Sequence, residues 1–218
     1  MDKNQLAIQY MEQGKMEEAA KIFGEMIEEN PKDPIGYINF GNVLASMNDT
    51  ERAIKFFERA IELDPQAATA YYGLGGIYYD QDDLLKAKDC YEQAIKKGLE
   101  SADTMFMLGL CLLHLDQPRL ALPYFQRSIE LNETDAEAKF HYGLALAGAE
   151  MYDMAIEAWK KTLEVDENHA DAYFNLGVAY GGGKGDVNKA IELFEKALEI
   201  QPDHMLAANG LKQMKELS

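Results

Sequence analysis

The chain has 218 residues and a formal net charge of −17, with 38 Asp and Glu against 21 Lys and Arg. That balance disfavours nucleic acid, where affinity comes mainly from basic side chains neutralising phosphates; 47% apolar residues with only six prolines disfavour a disordered linker. Cys90 and Cys111 form neither a CxxC pair nor a disulfide framework, and no apolar run is long enough to span a membrane, so a soluble cytoplasmic protein is expected.

An internal period organises the chain. Ala19, Ala53, Ala87, Ala121 and Ala155 recur every 34 residues, and Ala190 follows after 35. Each is preceded by a large residue and a small one: Leu6-Ala7, Phe40-Gly41, Leu74-Gly75, Leu108-Gly109, Tyr142-Gly143, Leu176-Gly177. Each is followed four residues later by a ring: Phe23, Phe57, Tyr91, Phe125, Trp159, Phe194. Such a period marks an array whose units cannot bury an apolar face alone and must stack on neighbours. The units are 1–33, 34–67, 68–101, 102–135, 136–169 and 170–204, read as one continuous array over 1–218.

Along the chain, each unit reads as two helices. In 68–101, Tyr71, Leu74, Gly75 and Tyr78 follow the i, i+3, i+4, i+7 pattern, and Leu84, Ala87, Tyr91, Ala94 and Ile95 repeat it. The turns between helices are Asn48-Asp49-Thr50, Asp82-Asp83 and Gly183-Lys184-Gly185-Asp186, with Asp49 or Thr50, Asp83 and Asp186 as N-caps. Pro31, Pro65 and Pro202 close the second helix of their units, and Gly98 serves as a left-handed cap in the third. Pro118 suits a first helical position, whereas Pro123, inside the same helix, predicts a kink. The extra residue of the sixth unit predicts a looser turn. The small residues before each alanine predict close helix crossings, with the rings as core.

Leu-Gly, Tyr three residues on, then Ala, Phe, Ala and Pro at fixed offsets, held over residues 1–204, resemble the tetratricopeptide repeat (TPR). The resemblance implies an all-α protein: a right-handed superhelical α-solenoid of six helix-turn-helix units plus a C-terminal capping helix over 204–218. Leu206, Leu211 and Met214 would cover the last unit. It also implies a concave groove formed mainly by the first helix of each unit. One column on that wall reads Asn4, Ile38, Tyr72, Phe106, Phe140, Phe174, and another Ile8, Asn42, Gly76, Leu110, Leu144, Val178. Asp80, Asp103, Glu137 and Asp171, with Glu12, supply acids, and no Lys or Arg stands at the matching places. Members that grip acidic C-terminal peptides use Lys, Arg and Asn there, so that ligand class is excluded.

The expected function is therefore a non-catalytic protein–protein interaction scaffold or adaptor. Its groove would hold an apolar or basic amphipathic segment of a protein or peptide partner through Ile38, Asn42, Tyr72, Asp80, Asp103, Phe106, Leu110, His114, Glu137, Phe140, His141, Leu144, Asp171, Phe174 and Val178. The alternative is a self-assembling structural protein that uses the array ends or the convex face; a monomer is expected. No cofactor, metal, nucleic acid or membrane enters this reading. The run Gly181–Gly185 lacks the spacing and the Ser or Thr of a phosphate loop. His114 and His141 have no third metal ligand. Cys111 reads as a buried inert thiol, and His169 and His204 as loop residues.

Overall fold

The computed structural model describes residues 2–217, and among them no strand occurs. Two compact units are present, divided between Cys111 and Leu112. In the first, α1 (Lys3–Glu12) pairs with α2 (Met16–Glu29), α3 (Pro34–Ser46) with α4 (Thr50–Leu63), and α5 (Ala68–Asp80) with α6 (Leu84–Lys96). Helix α7 (Ala102–His114) carries the division. In the second, α8 (Pro118–Leu131) packs on α9 (Ala136–Gly148), which pairs with α10 (Tyr152–Val165). Helix α11 (Ala170–Val178) runs into a π-helical turn (Ala179–Gly183), then come α12 (Val187–Ile200) and α13 (Met205–Leu217).

The repeating residues do the packing. All six column alanines are fully buried, and the six rings four residues later are at most 4% exposed. The small residues before them explain how close the helices come. A Cβ built at Gly41, Gly75, Gly143 or Gly177 would lie 2.9, 2.8, 2.4 or 2.7 Å from Phe57, Tyr91, Trp159 or Phe194. In these four repeats the first helix thus rests its backbone on the ring of its own second helix. Close packing of this kind leaves no room for one more methyl group.

The turn within each hairpin is also a repeated device. Gly14, Asn48, Asp82, Asp116, Glu150 and Gly185 all have φ between 58° and 73°. In the repeat 34–67, Asn48 N–H donates to Ala45 O at 2.9 Å and Asp49 N–H to Leu44 O at 2.8 Å, the paired bonds of a Schellman stop. Lys15, Asp83, Gln117 and Met151 make the same bond to the carbonyl five residues back. In the sixth unit the reach is six residues, from Asp186 N–H to Tyr180 O at 2.9 Å, with Lys184 N–H bonded to Ala179 O at 3.2 Å. The extra residue is thus absorbed as a π turn at the end of α11, which keeps its hydrogen bonds, rather than as a loosened loop.

Helix ends follow the expected chemistry with some corrections. Asp83 accepts from Lys86 N–H at 3.3 Å and Asp186 from Lys189 N–H at 3.0 Å. Asp49 occupies the cap position of α4 but makes no cap bond, turning instead to Arg52 at 3.1 Å, while Thr50 is the first helical residue. Gly98 adopts φ 97° as the predicted left-handed stop. Helix α8 continues through Pro123. The hydrogen bond lost there is to the carbonyl of exposed Arg119, where water can take the donor's place. In α13, Ala207 is fully buried and Leu211 and Met214 join the cluster around Phe194, but Leu206 is 61% exposed. The helix docks as another first helix would. A Cβ at Gly210 would meet the Phe194 ring at 2.7 Å, as one at Gly73 would meet Phe57 at 2.5 Å, and this orientation turns Leu206 outward.

Candidate functional site

The predicted groove residues fall into three classes of exposure. Ile38, Leu110 and Phe140 are buried, at 8% each. Asn42, Tyr72, Phe106, His141, Leu144 and Phe174 are half-buried, and Asp80, Asp103, His114, Glu137, Asp171 and Val178 are exposed. The rings in the row therefore spend much of their surface on packing, which leaves the carboxylates, His114 and Val178 as the most accessible members.

In the first compact unit, Tyr72 packs edge-on against Tyr91 with ring centroids 5.6 Å apart. Burial, and secondarily the charge of Asp103, push its phenol above the ordinary value, so the hydroxyl stays protonated. Asp80 contributes to the similarly raised Tyr79, whose main cause is again burial.

In the second compact unit, two histidines face two of the predicted groove acids. His169 and His204 lie in the connections between helices, as expected, but they are buried, at 8% and 7% exposed, and act as helix N-caps. His169 Nδ1 accepts from Ala172 N–H, and His204 Nδ1 from Ala207 N–H, each at 3.2 Å. An accepting Nδ1 leaves the proton of the neutral ring on Nε2. His204 Nε2 then donates to Asp171 Oδ1 at 3.1 Å, and His169 Nε2 lies 3.5 Å from Glu137 Oε1. The longer contact exceeds a good hydrogen bond, and His169 Nε2 makes none. The rings stack on the predicted groove aromatics, His169 on Phe140 at 4.5 Å and His204 on Phe174 at 5.1 Å.

Glu137 also serves His141, whose Nδ1–H donates to the Glu137 carbonyl at 3.0 Å, with the carboxylate 3.7 Å away. Burial pulls the His141 imidazole below its ordinary value, and nearby His114 and His169 add to the effect against the opposing pull of Glu137. Among the described residues no three His, Cys, Asp or Glu side chains converge as a metal site.

Sequence reasoning saw that these histidines share the last place of their units but read that place as loop and missed its capping role. The signal was their column: the last place of each unit reads Asp33, Ala67, Ser101, Asp135, His169, His204. Asp33, Ser101 and Asp135 all cap the following helix, accepting from Ile35, Thr104 and Ala138 N–H at 3.0, 3.1 and 3.0 Å. Both cysteines are free thiols, and Cys111 is fully buried. Burial raises the Cys90 thiol to about 11 and the Cys111 thiol to about 12, which is far from an activated nucleophile.

Paired helices built on one repeated interface define a helix-hairpin repeat protein. The tetratricopeptide-repeat pattern matches residues 66–134 and 135–203, and related TPR patterns match 10–60 and 41–82. The chain belongs to the tetratricopeptide repeat family. A 41-residue stretch is 51% identical to the TPR repeat-containing protein YrrB of Bacillus subtilis (strain 168), over 19% of this chain and 20% of that protein. The crystal structure of YrrB, a TPR protein with an unusual peptide-binding site, matches with a TM-score of 0.83 at 49% identity, covering 88% of this chain and 99% of that one. A crystal structure of MamA matches at 29% identity with a TM-score of 0.70, over 74% of this chain and 94% of that one. The structure of Pseudomonas aeruginosa pilF, at 19% identity and a TM-score of 0.80 over 99% of this chain and 96% of that one, shares the fold alone. TPR proteins generally mediate protein–protein interaction.

Proposed function

We propose that the chain is a non-catalytic scaffold whose first-helix surfaces hold an apolar or basic amphipathic segment of a protein partner. One observation carries this reading: of the six exposed predicted groove positions four are carboxylates, Asp80, Asp103, Glu137 and Asp171, beside His114 and Val178, with no Lys or Arg among the matching places. An acidic surface selects basic partners through charge complementarity, which governs encounter and specificity. The peptide-binding site of YrrB supports a peptide ligand for this chain. The two free thiols suit a reducing compartment, and the cytoplasm is the setting we assign.

The test reverses charge where the core is untouched. Asp80→Lys with Asp103→Lys, both in the first compact unit, should weaken binding of a Leu/Lys amphipathic peptide by at least about tenfold at low salt, an effect that shrinks as salt screens it. Unchanged affinity in the double variant sinks the reading. Self-assembly is favoured by one separate observation: α13 exposes Met205, Leu206 and Leu217 at 78%, 61% and 70%. Sedimentation across a concentration range decides it, since a strict monomer removes that alternative.

A further inference from the structure

A cavity of about 880 Å³ opens in the second compact unit, between the turn joining α9 to α10 and the π turn that ends α11. Its floor is buried, with Ile156 and Trp159 at 3% and 4% exposure. Its rim is apolar and open to solvent: Met151, Tyr152, Met154 and Val178 are 39%, 61%, 49% and 48% exposed. Four large apolar side chains exposed around one hollow form the kind of patch that marks a binding site rather than ordinary surface. The volume lies within the roughly 300–1,000 Å³ of pockets that enclose drug-sized groups, so it has room for the apolar residues of a helical turn. Two methionines on the rim add adaptability, because an unbranched thioether refits to varied shapes.

The cavity exists where this unit departs from the period. Gly182, Gly183 and Lys184, which the π turn displaces along the chain, form one wall. In the other repeats the left-handed residue of the turn stands at the place of Lys184, and here it falls one residue later, at Gly185. Charge then selects the occupant. Glu150 and Asp153 stand at the cavity, and the one base there, Lys184, is already bonded to Asp153 at 3.0 Å. Glu150 makes no ion pair among the described residues. Over 136–204 there are thirteen Asp and Glu against six Lys, so a second copy of the chain would bring like charge to the rim.

We propose that this cavity is an anchoring pocket for a basic amphipathic helix of a partner protein. The helix would insert its apolar face between Met154 and Val178 and place Lys or Arg near Glu150 and Asp153. This assignment rests on the reading of an apolar, basic partner given above, and it adds a distinct anchor that shares only Val178 with the predicted groove residues. Trp159, the single tryptophan of the chain, lies in the floor and reports occupancy directly.

The test uses the whole chain and a labelled Leu/Lys amphipathic peptide of about 18 residues, long enough to form a helix, beside a counterpart with Glu for Lys. Binding is followed by anisotropy of the label and by Trp159 emission. The basic peptide should shift Trp159 emission in step with anisotropy, and the acidic one should bind at least about tenfold more weakly. Gly182→Leu adds bulk at the cavity wall without a clash of its Cβ, which meets nothing within 4 Å. It should abolish the emission change and weaken binding by at least about tenfold, and exposed Val178→Lys should do the same. Circular dichroism checks that both variants are folded. Anisotropy that rises without a Trp159 response, or binding that Gly182→Leu leaves intact, overturns the pocket while leaving the Asp80 and Asp103 surface standing. Equal affinity for the acidic peptide, or no binding of either peptide, overturns it as well. Concentration-dependent dimerisation that Gly182→Leu disperses would make a second copy the occupant and also overturns it.

Discussion

Replacing Gly143 with alanine tests whether the repeated glycine is there for packing. The added Cβ would lie 2.4 Å from Trp159 Nε1, 2.6 Å from Cδ1 and 3.0 Å from Cε2. Carbon contacts relax only near 3.5–4.0 Å, so the ring must retreat by about 1 Å. Trp159 has little room to do so, being 4% exposed within the cluster that also holds Ala172 and Leu176. Its Nε1–H donates to Phe140 O at 3.3 Å, and that bond would stretch or break. Overpacking costs about 1–3 kcal/mol, and a stranded buried donor costs about 1–3 kcal/mol. Against this, alanine gains about 1 kcal/mol over glycine in a helix interior. The net expectation is about 3 kcal/mol of destabilisation, the middle of these ranges. Urea unfolding followed by circular dichroism measures it, with Trp159 emission reporting whether the ring has moved. Gly24→Ala is the control, because a Cβ there meets nothing within 4 Å inside α2. It should stabilise by up to about 1 kcal/mol. A Gly143→Ala protein as stable as its parent, or a Gly24→Ala protein equally weakened, refutes the packing argument.

Two further outcomes are expected. His204→Ala removes a cap worth about 1 kcal/mol and a ring contact worth about 0.5–1.5 kcal/mol, so urea unfolding should show a loss of about 2 kcal/mol, with His204→Asn recovering the cap share; hydrogen exchange at Ala207 that is unchanged by the alanine would contradict the cap. With thiols raised to about 11 and 12, Cys90 and Cys111 should both resist iodoacetamide at pH 8 in the native protein and react once it is unfolded in urea; fast native labelling of Cys111 would show that its burial is wrong.

Most of the fold could be read in the sequence because packing repeats at fixed places. Ala53, Gly41 and Phe57 are legible as a trio, since each reappears one period on in the same company and each is buried. What the sequence left open lay where one residue does two jobs. Phe140 and Phe174 stand at predicted groove places, and they also pack against the tilted rings of His169 and His204. A column of aromatics cannot show that, because the partner ring lies in a different column. Leu206 was misplaced for a related reason: helical spacing alone put it with Leu211 and Met214, but the docking of Gly210 on Phe194 fixes the rotation of α13. The acids Glu137 and Asp171 were read as edge charges for a ligand, and each also faces a capping histidine of its own unit.

The departure in the sixth unit shows how an array can change its surface without changing its core. An inserted residue must go where it disturbs no packed column. On one side, Gly177 is fixed by its approach to Phe194; on the other, Ala190 is fully buried and Phe194 is held again from the far side by Gly210. Shifting register through any of these would either open a gap or force a clash within a closely packed interior, and both are costly. Between them the exposed stretch 182–186 is free to lengthen, and the π turn leading into it takes the residue while Asp186 N–H still reaches back to stop the helix. Gly182 and Gly183, which a Cβ would leave without a contact, are where the added length emerges. Any new surface in this chain therefore has to be built from such unpacked places, which is why the cavity beside Val178 and Lys184 coincides with the one unit that breaks the period.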